Sequence, residues 1–110
     1  MTMKAIIVVV AAASAITAAY ARNRYSDQMQ DMSDGQRNAM FAKLMMGSGE
    51  RCGRVDRSFY RGEARGTALW NIRCTASGSW TISIAPDSST RILSCSVNKR
   101  LKLTPCWTPL

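Results

Sequence analysis

The chain has 110 residues, 46% of them hydrophobic and 20% charged, with 15 Lys and Arg against 7 Asp and Glu. Its formal charge of +8 favours contact with anionic partners. Histidine is absent, which removes the commonest general base and metal ligand and argues against an enzyme.

Residues 1–21 read as an export signal. Lys4 supplies a positive start, Ala5 to Ala19 is an unbroken run of apolar and small residues, and Ala19-Tyr20-Ala21 fits a small-x-small cleavage site. An uncleaved membrane anchor is the alternative. The run is short and Ala-rich for a span of about 20 residues, but Arg22 and Arg24 are unusual just after a cleavage site. Cleavage leaves 89 residues with 14 Lys and Arg (15 less Lys4) against 7 acidic residues. Export argues against nucleic acid and for an acidic protein face, lipid headgroups or glycans as the anionic partner. The expected function is a non-enzymatic periplasmic or secreted binding or accessory module. Membrane attachment is expected only if the N-terminal segment is retained, and the chain is then an anchored accessory subunit of a larger envelope complex.

Residues 22–33 form a polar arm in which Tyr25, Met29 and Met32 recur at helical spacing, which reads as a marginal helix or an ordered arm. The pattern then predicts a helix over 34–46. Ser33 and Gln36 make a capping box, Met40, Phe41, Leu44 and Met45 form one apolar stripe, and Gly47 and Gly49 end it. From Cys52 the hydrophobic period becomes two, which predicts strands over 55–62, 68–74, 80–86 and 91–97 joined by short turns. The expected fold is α+β: an N-terminal helix packed on a four-stranded antiparallel meander. One domain covers 34–106, and 107–110 is a tail. The wider stretch 98–110 holds two prolines and reads as a strapped extension.

Alternation assigns the faces. Ala68, Trp70, Ile72 and Cys74, then Trp80, Ile82 and Ile84, then Leu93, Cys95 and Val97 share the apolar face. Trp70 and Trp80 would pack against Phe41 and Leu44. Asn71, Arg73, Thr81, Ser83 and Ser94 share the polar face, of which Asn71, Thr81 and Ser83 are the candidate contact residues. Arg57 breaks the pattern on the apolar face opposite Ile72. Either a bulge turns it outward, or it is a partly buried fork near Trp70 and Tyr60 gripping an anion, with Arg54, Arg61 and Arg65 rimming the same end of the hairpin. Arg54, Arg57, Arg61, Arg65 and Arg73 are the candidate contacts for an anionic partner.

Cys52, Cys74, Cys95 and Cys106 form an even set in a short exported chain, which reads as two structural disulfides. The spacings of 21, 20 and 10 intervening residues lack the paired knuckle of zinc sites. Counting from the first hairpin sets Val55 opposite Cys74 and makes Cys52–Cys74 with Cys95–Cys106 the simplest of three pairings; the other two stay open. Glu50, Asp56, Glu63 and Asp87 are better explained as surface ion pairs than as a catalytic dyad, with Asp56 facing Arg73. The methionines read as core filler rather than a copper site. No cofactor is expected.

The run "CGRVDRSFYRG", followed by "LWNIRC", "SWTISI" and "LSC", resembles a group of small exported bacterial proteins without an established activity. That resemblance covers residues 52–106 and implies export, disulfides and fold. The helix–hairpin layout also resembles PepSY-like domains, which implies a binding or inhibitory module.

Overall fold

A computed structural model describes residues 23–110, so the expected export signal over 1–21 lies outside the described residues. The elements in chain order are α1 (Arg24–Asp31), α2 (Asp34–Gly47), β1 (Val55–Ala64), β2 (Thr67–Cys74), β3 (Gly78–Ile84), β4 (Thr90–Ser94) and α3 (Cys95–Arg100). The strands form one antiparallel sheet in the order β1-β2-β3-β4. The expected α+β meander is present, but the helix on the sheet is not the first one. The polar arm itself folds into α1, and α3 replaces the end of the expected fourth strand.

The helical spacing of Tyr25 and Met29 is realised in α1, with Met29 buried, and polar side chains fix the helix to the sheet. Asn23 caps the helix by accepting the Ser26 N–H, and its Nδ2 donates to the carbonyls of Gly66 and Ile84 at 2.8 and 2.7 Å. Ser26 Oγ in turn accepts the Trp70 indole N–H at 3.1 Å. The expected capping box opens α2, with Ser33 and Gln36 bonding each other's backbone. Phe41 and Met45 then point into the core, where Phe41 and Tyr60 flank the Trp70 ring at 5.5 and 5.1 Å. Arg37 ties the layers together. Its guanidinium lies over Trp70, donates to Ser58 Oγ, and bonds the carbonyls of Met29 and Met32.

Two bulges in β1 decide which side chains face which layer. Val55 pairs with Cys74 as counted, but Arg57 pairs with Arg73, so Asp56 is an extra residue. The bulge turns Arg57 outward, as the first of its two readings expected, and rules out the buried fork near Trp70. It also corrects the alternation at Phe59, so that Ser58 and Tyr60 face the helices while Arg57 and Phe59 face away. The second bulge falls at Arg61, between the Tyr60–Trp70 and Gly62–Leu69 pairs. Gly62 has a φ of 133°, a conformation that L side chains rarely adopt. The β4 assignment is also corrected by one residue. The loop between the Ile84–Thr90 pair spans 85–89, so Ile92 faces the helices opposite Ile82 and Leu93 lies on the other face opposite Thr81. Ser94, not Cys95, sits opposite Trp80, and its hydroxyl accepts the Val97 N–H to start α3.

Both disulfides follow the simplest pairing, Cys52–Cys74 and Cys95–Cys106. The first joins the α2–β1 connection to the end of β2. There Gly53 passes so close to Thr75 that an added Cβ would lie 2.7 Å from its Oγ1. Phe41→Ala is expected to lower the unfolding free energy by about 3–5 kcal/mol, read as a reduced denaturant midpoint at unchanged slope.

Candidate functional site

The polar face of the sheet is where sequence and structure diverge most. Asn71 and Thr81, expected to be solvated, are 0% and 7% exposed because the C-terminal segment lies over them. The Asn71 carboxamide is fully used. Nδ2 donates to the Trp80 carbonyl and to Thr81 Oγ1 at 3.2 and 2.9 Å, and Oδ1 accepts the Trp107 backbone N–H at 2.6 Å. Thr81 Oγ1 also lies 3.4 Å from Cys106 Sγ, which has no proton to give within its disulfide. Ser83 stays half-buried.

Arg61 is the second anchor. At 5% exposure its Nε donates to the Thr108 carbonyl at 2.9 Å, and a terminal nitrogen reaches the Pro105 and Thr104 carbonyls at 3.3 and 3.5 Å. The Leu110 N–H donates back to the Arg61 carbonyl. Burial pushes the guanidinium pKa down, yet an arginine stays charged at any physiological pH. The bulge that exposes this side chain to the tail thus turns a candidate anion contact into a tail clamp.

Trp107 completes the strap. Its indole N–H donates to Ser79 Oγ at 3.2 Å, Phe59 lies beside its ring, and the Arg57 guanidinium stacks over it at 4.2 Å. The sheet is therefore covered twice: by the helices on one face, and by α3 with the tail on the other. The 107–110 tail belongs to the folded unit.

The five candidate arginines do not come together. Arg54 and Arg65 sit at opposite ends of β1, about 30 Å apart along a ten-residue strand. Arg57 is exposed on the tail side. Arg73 forms a bidentate pair with Asp56 at 2.8 and 3.3 Å. That guanidinium holds the Asp56 carboxyl below the usual carboxylate range, and the hydrogen bonds from Ser89 do the same for Asp87.

Between strap and sheet lies a cavity of about 250 Å³ whose apolar walls are Leu69, Leu93, Leu103 and Leu110. Ser83 joins it to a polar basin of about 330 Å³ that holds Thr67, Ser89 and Arg91. Sequence reasoning missed Arg91, Leu103 and Asn98. The signal available for Asn98 was its position as a lone uncharged polar residue before the basic run 99–102. It is buried and donates to the Thr104 carbonyl at 2.7 Å, fixing the turn after α3.

Charge is divided unevenly along the chain. Residues 23–50 hold three Lys and Arg against four Asp and Glu, whereas 51–110 hold ten against three, with no acidic residue beyond Asp87. Arg37 pairs with Asp34 and Arg73 with Asp56.

No family model matches the chain, no curated protein matches it in sequence, and no solved structure matches it. The expected likeness to small exported bacterial proteins therefore stands only as far as two disulfides in a small chain, and no likeness to PepSY-like domains is shown. Such bridges point to an oxidising compartment. Among the described residues, no helix is long and apolar enough to cross a membrane.

Arg61→Met should release the strap while sparing the helix side. Amide exchange at Trp107 and Leu110 is expected to accelerate at least tenfold, with Phe41 and Trp70 unchanged, since only the strap loses hydrogen bonds of about 1.5–3 kcal/mol each to a charged donor. For Asp56 the folded pKa lies below the unfolded one. The contribution of its pair with Arg73 is thus present above the unfolded carboxylate range and lost as pH falls through the folded value. Arg73→Ala is expected to move the Asp56 midpoint up toward the ordinary range, read by carboxyl NMR.

Proposed function

We propose that this protein is an exported, non-enzymatic binding module of the periplasm or cell exterior that engages an anionic partner through its sheet-and-tail side. One observation carries the reading: the cations are segregated. The helix layer is close to neutral, while 51–110 hold ten basic residues against three acidic ones. Solubility alone needs net charge and places no demand on where it sits; a one-sided field is what steers an oppositely charged partner. The absence of histidine and the engagement of Asp34, Asp56 and Asp87 in local pairs favour binding over catalysis.

Two double charge reversals of equal size test this reading. Retention on an immobilised sulfated polysaccharide is expected to weaken several-fold, with elution at lower salt, for Arg57→Glu with Arg91→Glu. Arg24→Glu with Lys43→Glu, on the helix side, is expected to elute like the parent. Equal losses from both pairs would reduce the interaction to net charge and remove the proposal.

A further inference from the structure

The turn after α3 places leucines where a soluble surface has no use for them. Leu101, Leu103 and Leu110 are 60%, 49% and 53% exposed. Single exposed leucines are ordinary. These are set differently, because Leu101 and Leu103 alternate with cations in the run Lys99-Arg100-Leu101-Lys102-Leu103. All three cations are exposed.

The turn is also held rigid. The Leu101, Lys102 and Leu103 N–H groups donate to the carbonyls of Val97, Lys99 and Asn98. Lys102 takes a left-handed φ of 57°, which reverses the chain. Buried Asn98 fixes Thr104, and the Cys95–Cys106 bridge closes the loop across its base. Ordering costs are therefore met before any partner arrives. Leu103 and Leu110 line the cavity against Leu69 and Leu93, so these two exposed leucines continue inward as one apolar body.

From this arrangement we infer that the α3 turn is a docking edge for an anionic phospholipid surface. Leu101 and Leu103 enter the interface while Lys99, Arg100 and Lys102 meet the headgroups. This rests on the reading of the sheet-and-tail side as an anion-binding face and names its partner. Charge complementarity selects a lipid layer over an acidic protein face because the cations are interleaved with leucines that need an apolar phase. A purely polar anion would leave them wet. Binding to an interface grows with both buried apolar area and attraction to anionic lipid, and each surface cation adds about fivefold in partitioning at low salt.

The test is co-sedimentation of the full, disulfide-bonded chain with phosphatidylglycerol vesicles and with phosphatidylcholine vesicles. The parent is expected to bind the first and not the second, and to lose affinity as salt rises. Leu101→Ser with Leu103→Ser is expected to weaken vesicle binding at least tenfold while leaving retention on the sulfated polysaccharide unchanged. Met40→Ser with Met46→Ser, exposed residues of the helix layer, should bind vesicles like the parent, and far-UV circular dichroism should match for every variant. Equal binding to both lipids, or an undiminished leucine variant, would overturn the inference. So would retention on the polysaccharide without any binding to phosphatidylglycerol, an outcome that keeps the broader anion-binding proposal. Loss of both interactions in the parent would end both.

Discussion

One buried carboxamide organises the far side of this molecule. Asn71 sits in the middle of β2 with no exposed surface, and each arm of its amide is engaged, one with β3 and one with Trp107. A buried amide left without partners costs about 1–3 kcal/mol, so Asn71 tolerates only an arrangement in which the tail lies where it does. Because it binds the neighbouring strand and the tail at once, sheet register and strap position are coupled. The helix side works in the same way, through Asn23 and Ser26 clasping the sheet edge and the Trp70 indole. Polar contacts orient both covers, and apolar packing adds the driving force.

A domain of this length buries a modest core, and the two bridges divide the remaining work by face. Cys52–Cys74 secures the entry to the sheet on the helix side, and Cys95–Cys106 secures the strap. Each contributes about 2–4 kcal/mol in the chain-entropy account. The Arg61 clamp shows why the strap still needs its bridge. Its hydrogen bonds all go to backbone carbonyls, and among the described residues no acidic side chain compensates the charge.

The strands, the α2 capping box and the cysteine pairing were legible because each depends on local pattern: period two, a Ser-x-x-Gln start, and counting across one hairpin. Departures begin where a single residue is inserted. Asp56 is unremarkable in the sequence, yet its bulge moves Arg57 and Phe59 to the other face and gives Trp107 its stacking partners. The loop at 85–89 shifts β4 by one residue for a similar reason, since the Asp87 carboxylate accepts from both the N–H and hydroxyl of Ser89 and completes a longer turn than the polar run implies. The strap over 98–110 was legible from its prolines, but not which face it hides, because its anchors on Asn71 and Arg61 are backbone groups that give no periodic signal. Exposed Arg57 and Arg65 were readable as cations, and the Asp56–Arg73 ion pair from the facing of the first two strands, but not the role of Arg61, which follows from the second bulge.

Both bridges join cysteines that are neighbours along the chain, first with second and third with fourth. A polypeptide threaded N-terminus first into an oxidising space presents them in that order. Cys52 and Cys74 are together on the far side before Cys95 emerges, and a non-specific oxidant acting on whatever thiols are present writes the correct bond. The last pair then has no rival. Connectivity between sequence neighbours is the arrangement for which, under such sequential oxidation, no native bridge has to wait for a wrong one to be undone.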